Sequence, residues 1–289
     1  MNESRRLRPT NQAMSRRQAL GLLTATTAEL AAGSSLVVSG QETTLKILTV
    51  IPTPQFELSP YLYLQFMEPL GATDGSVEAA WDHLRDRWRP DLVSVTRELA
   101  PTMLRWGGIF SDYYRWREGV GPRQRRPLML NLCWGGVESN QVGTAEFVDF
   151  ARQAGAEPLV CVNFESDGRK RYIEAKGSLR TADAGEAAAW VAYCNDPANP
   201  QRRAHGPEQP LGIKHWQIGN ETSYDRNGFE LETAAKKTVE FAKAMRQADS
   251  TIQLIAWGDS GWAARMVEVA GEHIQFLAFH HMFDPDDAT

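Results

Sequence analysis

The feature that most constrains this chain is a repeated order of segments. Six short, almost continuously apolar runs recur: "YLYLQFM" (61–67), "TMLRWG" (102–107), "EPLVCVN" (157–163), "IKHWQIGNE" (213–221), "IQLIAWG" (252–258) and "IQFLAFHH" (274–281). Runs of this kind, with no alternating polar residue, read as strands buried on both faces. Amphipathic segments lie between them: "DLVSVTREL" after Pro90, "TAEFVDFARQAG" closing at Gly155, "GEAAAWVAYCND", "LETAAKKTVEFAKAMRQAD" and "WAARMVEVAG". The fourth has apolar residues at helical spacing (Leu231, Ala234, Ala235, Val239, Ala242, Met245), with Lys and Arg on its other face. Strand–helix alternation implies a parallel sheet with helical crossovers. Two closures fit, an open doubly wound sheet and a (β/α)8 barrel. No Gly-x-Gly-x-x-Gly follows the first strand and no phosphate loop ending in Lys-Ser/Thr occurs, which counts against a nucleotide-binding doubly wound fold.

The 289 residues suffice for one large α/β domain. A formal net charge of −5 gives no reason to expect nucleic acid or an anionic membrane as partner. Residues 1–40 differ from the rest. Arg16 and Arg17 precede an apolar Ala/Leu/Thr-rich stretch, which resembles a twin-arginine export signal and implies a periplasmic or extracellular destination. Cys133, Cys161 and Cys194 lack metal-ligand or redox spacing and are expected to be small buried hydrophobes. Nine Trp are many for this length, and each serves either core packing or sugar stacking. The long segment 108–143 is expected to wall a cleft.

In a barrel, chemistry sits at the C-terminal ends of the strands. Polar residues gather there: Glu68, Arg105, Asn163, the pair Asn220 and Glu221, and His280 with His281. Buried carboxylates are costly unless they are paired or used. Glu221 suits protonation of a leaving-group oxygen, and Asn220 suits a sugar hydroxyl beside the breaking bond. A strand-end pair pointing to solvent is the bland alternative. Adjacent His280 and His281 point to opposite sides of a strand and have no third ligand at a recognisable spacing, so no metal is expected.

The segments "YLYLQFMEPLG", "LRWGGIFSDYYRWREGVGPRQRRP", "LNLCWGGVESNQVGTAEFVDFARQAGAEPLVCVN" and "IKHWQIGNET" closely resemble glycoside hydrolase family 51, the α-L-arabinofuranosidases, over residues 45 to 281. The resemblance implies a (β/α)8 TIM-barrel catalytic domain over 61–289, incomplete at about six β/α units, without the family's C-terminal β-sandwich. Residues 41–60 would pair with that sandwich. It implies a retaining mechanism with Glu221 as general acid/base and no cofactor. Substrate-binding roles fall to Asn220, Glu68 and His280, with Arg105 and Trp134 shaping the cleft. The expected partner is an arabinose-containing oligo- or polysaccharide of the arabinan or arabinoxylan type, and self-association into a homo-oligomer is a further expectation. Ile109 and Met282 depart from the family pattern at sugar contacts. The family's nucleophile is a Glu ending a seventh strand, and no carboxylate in this chain matches it. Residues 1–289 alone are therefore expected to be inactive or nearly so. Another retaining barrel glycosidase (a β-xylosidase or endoglucanase) and a non-catalytic carbohydrate-binding remnant are the alternatives.

Overall fold

The computed structural model describes residues 53–54, 57–68, 77–132, 136–166, 182–224 and 229–280. The chain divides into two compact units, Met1–Phe56 and Glu57–Thr289, and the account below concerns the second. The residues of the expected export signal, the segment 43–52, Cys133, Trp134, His281 and Met282 lie outside the described residues.

Every apolar run becomes a strand: β1 (Leu64–Met67), β2 (Met103–Trp106), β3 (Glu157–Val162), β4 (His215–Ile218), β5 (Gln253–Trp257) and β6 (Phe276–Ala278). They form one sheet in sequence order, each parallel to the next. A doubly wound sheet reverses its order at a switch point. No reversal occurs here, so successive crossovers wind in one sense, as in the wall of a barrel. The register aligns the strand ends: Met67 faces Trp106, Trp106 faces Val160, and Val162 faces Ile218. Residues that follow the strands therefore emerge along one rim.

Among the described residues the longer helices are α1 (Pro90–Leu99), α2 (Thr144–Ala154), α3 (Ala184–Asn195), α4 (Leu231–Ala248) and α5 (Ala263–Ala270), and a single helical turn, Pro200–Ala204, follows α3. Their ends follow local chemistry. Proline starts α1, where a missing N–H costs nothing. The Asp183 carboxylate accepts the Glu186 N–H at 2.8 Å and caps α3. Gly155 ends α2 in the left-handed region at φ 81°. On α4, Ala234, Ala235, Thr238, Phe241, Ala242 and Met245 are buried, one stripe at helical spacing. Full burial of a side chain such as Phe241 contributes about 1.5–3 kcal/mol. Among the described residues no helix is long and apolar enough to cross a membrane.

The period of two divides the strands' residues between two faces. Leu104, Trp106, Val160, Val162, Trp216, Ile218, Leu254 and Ala256 join the main core with the helices. Met103, Leu159 and Ile255 form a second, smaller cluster with Tyr61 and Ala278. That inner face, with Arg105, His215, Gln217 and His280, lines a cavity of about 420 Å³. Seven Trp (88, 106, 116, 190, 216, 257, 262) are buried, so their first role is packing. Cys161 and Cys194 are free and buried, as expected. The first and last strands of the sheet keep exposed apolar residues, with Phe66 63% and Phe276 39% accessible.

Candidate active site

The rim at the C-terminal ends of the strands carries the polar residues. Strand β4 stops after Ile218 because Gly219 turns at φ 74°, where a β-carbon would lie 2.6 Å from Thr222 Cγ2 and 2.9 Å from Phe164 Cβ. Glu221 follows in the left-handed region at φ 49°. A non-glycine residue held there costs on the order of 1–2 kcal/mol and marks a backbone whose surroundings fix it. The Tyr224 N–H donates to the Glu221 carbonyl at 3.0 Å and closes the turn.

Glu221 does not face bulk water. Its side chain is 13% exposed, and Oε1 lies 3.0 Å from His280 Nδ1, beyond β6. Asn220 Nδ2 donates to Oε2 at 3.5 Å. Asn220 is itself 1% exposed and is oriented from below: the Arg105 guanidinium donates Nη2–H to Asn220 Oδ1 and Nε–H to Gln217 Oε1, both at 2.7 Å. Arg105 thus holds the side chains of Asn220 and Gln217.

Glu68, directly after β1, accepts the Phe110 N–H at 3.0 Å. Gly108 makes room for it: at φ 147°, a β-carbon would run into the Glu68 carboxylate. Gly108 therefore seats Glu68 on the rim, while at Gly107 a β-carbon would meet Cys161 Cβ at 2.5 Å. Asn163 ends β3 but folds back, accepting the Ser166 N–H at 2.9 Å and donating to the Ser166 carbonyl at 2.7 Å. Ile109 packs partly buried against the core. Burial pushes up the Cys161 thiol beneath the site, and Arg105 opposes the rise.

The segment 108–143 leaves the same rim. It contains three short 3-10 turns and a two-residue antiparallel ladder, Met129–Leu130 with Val137–Glu138. Tyr113 donates to Asn131 at 2.9 Å, and Asn131 donates to the buried Glu138 at 2.8 Å. Arg126 bonds the carbonyls of Gly121, Asn140 and Gln141 and pairs bidentately with Glu146 of α2, at 2.9 Å for each bond.

Glu221, Asn220, Glu68, Arg105, Asn163 and His280 carry a signal in the sequence as strand-end polar residues; Gln217, Tyr224, Trp257 and Asp259 do not. Gln217 had one readable signal, a polar residue inside an apolar run on the same strand face as His215.

A one-sense parallel sheet with a partly buried carboxyl on its rim, flanked by an amide and an imidazole, has the architecture of the TIM-barrel class. The comparisons with known proteins agree. Residues 95–288 match the family model of the alpha-L-arabinofuranosidase 1 domain. The intracellular exo-alpha-(1->5)-L-arabinofuranosidase 1 of Bacillus subtilis is 32% identical over 251 residues, covering 80% of this chain and 47% of that protein. The alpha-L-arabinofuranosidase C of Emericella nidulans is 33% identical over 215 residues, covering 71% and 40% respectively. Among solved structures, the thermostable GH51 alpha-L-arabinofuranosidase of Thermotoga petrophila superposes with TM-score 0.64 at 31% identity, over 77% of this chain and 46% of that one. AbfB of Bifidobacterium longum, a family 51 alpha-L-arabinofuranosidase, gives 0.66 at 29%, over 79% and 45%. The chain belongs to the family 51 α-L-arabinofuranosidases and corresponds to their N-terminal part. It spans about half the length of the curated relatives it matches.

One expectation is corrected here. The export reading is overturned by the Bacillus subtilis relative, whose name places that protein inside the cell. The physical reason lies in the segment itself: Glu29 interrupts the apolar stretch after Arg16 and Arg17, and a signal needs that stretch apolar.

Proposed function

We propose that the site serves retaining hydrolysis of terminal α-L-arabinofuranosyl groups on arabinan- or arabinoxylan-type glycans. The observation that carries the reading is Glu221, enclosed on the rim between Asn220 and His280. Protonated Glu221 gives its proton to the glycosidic oxygen as the C1–O bond breaks, while a second carboxylate attacks C1 and forms a glycosyl ester. Ionised Glu221 then takes a proton from the water that attacks C1, which releases arabinose and restores the acid. Asn220, with its carbonyl oxygen held by Arg105, is oriented to meet a sugar hydroxyl beside the breaking bond. Glu68 accepts a hydroxyl on the opposite side of the rim. The attacking carboxylate is assigned to no residue of 1–289.

The test is a titration of arabino-, xylo- and cello-oligosaccharides into the protein, followed by NMR at the Asn220 amide and the His280 ring. Arabino-oligosaccharides should perturb both at the lowest concentration. A preference for xylo- or cello-oligosaccharides, or perturbation remote from residue 221, overturns the reading.

A further inference from the structure

The acid and its imidazole are held by a second layer of residues beyond strands β4 and β5. Tyr224, three residues after Glu221, directs its hydroxyl to two acceptors: Asp259 Oδ2 at 3.2 Å and the His280 carbonyl at 3.3 Å. Trp257 ends β5 and presents its ring edge-to-face to His280, with centroids 4.7 Å apart at 90°, and to Tyr224 at 5.5 Å and 87°. The indole is itself locked: Nε1–H donates to Ser223 Oγ at 2.7 Å, and Ser223 lies 2.8 Å from Ser260 Oγ. His280 is thus gripped at its backbone by Tyr224 and at its ring by Trp257, and its Nδ1 meets Glu221 Oε1.

We infer that Tyr224 and Trp257 are positioning residues that keep the His280 imidazole on Glu221, so that the two groups share one proton. The inference rests on the proposed role of Glu221 and adds how its proton is controlled. The imidazole keeps its Nε2 hydrogen throughout: as imidazolium it donates Nδ1–H to ionised Glu221, and when that proton crosses to Oε1, protonated Glu221 donates to the bare Nδ1. The same 3.0 Å contact serves both states of a residue that must give a proton and take one back. Without the grip the imidazole is free to rotate about its side-chain torsions, and the coupling is lost. Among the described residues, the charged and titratable groups around the pair include Tyr224 after β4, Asp259 after β5, Arg105 through Asn220, and Glu68 beyond β1. Burial and the Asp259 carboxylate both hold the Tyr224 hydroxyl above its usual range, so it stays a donor across the working pH.

The experiment is a histidine ¹⁵N NMR titration of the full chain without sugar, on wild type, Tyr224→Phe, Trp257→Phe and Asp259→Asn. Wild-type His280 should show one fixed tautomer and a titration coupled to that of Glu221. Tyr224→Phe loses only a hydroxyl, and it should move the His280 midpoint by about half a pH unit or more and average the two ring nitrogens. Trp257→Tyr, whose hydroxyl can donate in place of the indole N–H, should restore more of the wild-type signature than Trp257→Phe, which keeps only the aromatic edge. Glu221→Gln should remove the coupling in every background. Wild-type ring shifts and midpoint in both Tyr224→Phe and Trp257→Phe overturn the inference. Because no sugar is present, that outcome is separate from a failure to bind arabino-oligosaccharides, which counts against the proposed function alone.

Discussion

At the scale of single residues, Glu221 is defined by what surrounds it. A carboxyl that is 13% exposed, on a left-handed backbone, beside an imidazole and an oriented amide, is held away from bulk solvent, which supports its proposed part in proton exchange. With azide supplied as external nucleophile, Glu221→Gln should lower cleavage of an arabinofuranoside with a poor leaving group by about 10²–10⁴-fold. A dinitrophenyl arabinofuranoside, whose leaving group needs no proton, should lose less than about tenfold; initial rates on the two substrates provide the comparison. Gly108→Ala should drive a methyl group into the Glu68 carboxylate at a backbone angle that only glycine accepts readily. A destabilisation of about 2–3 kcal/mol in urea denaturation is expected, together with weakened sugar binding. The rim residues were legible in the sequence because an apolar run that ends on Asn-Glu or His is conspicuous. Tyr224 and Trp257 were not, since a Trp that closes a strand reads as filling and a Tyr in a loop has no period to betray it.

At the scale of elements, the helices were legible because Pro90, Gly155 and the stripe on α4 encode ends and faces locally. The segment 108–143 was legible only as a long connection. Its order comes from contacts across many residues, chiefly Arg126, whose side chain is 3% exposed while its partner Glu146 is 12% exposed. Arg126→Met should cost about 3–5 kcal/mol in denaturant unfolding, because Glu146 is left buried without its counter-charge. A loss below about 1 kcal/mol would show that the pair does not hold the segment. His215 of β4 gives the sheet a pH dependence. Burial holds its imidazole below the ordinary value, against a smaller upward pull from Glu157, and Nδ1 has no hydrogen-bond partner among the described residues. The folded value lies below the unfolded one of about 6.5, so the unfolded chain binds more protons. The contribution is fully present above that pH and is lost as pH falls below it. Burial lowers His205 too, which adds in the same direction. Unfolding free energy should therefore decline between about pH 7 and pH 5, and His215→Phe should flatten that decline. An unchanged slope in the variant would remove His215 from the explanation.

At the scale of the whole molecule, one-sense winding of six parallel strands was readable from the alternation of runs and from the missing phosphate loops. The exposure of β1 and β6 was legible too, from their places at the two ends of six strands and not from composition, since each run is as apolar as its buried neighbours. Residues 1–289 assayed alone should release no measurable arabinose from a chromogenic arabinofuranoside, and added azide should restore turnover of the dinitrophenyl substrate with arabinosyl azide as product. Azide-independent turnover that Glu221→Gln abolishes would mean that a carboxylate within the chain already serves as nucleophile. The most direct measurement is a crystal structure of the Glu221→Gln protein with an arabino-oligosaccharide. The glycosidic oxygen should lie about 3 Å from the residue 221 side chain, with sugar hydroxyls on Asn220 and Glu68. A saccharide bound away from that rim, or a glycosidic oxygen beyond hydrogen-bond reach of residue 221, would contradict the assignment of Glu221 as the proton donor.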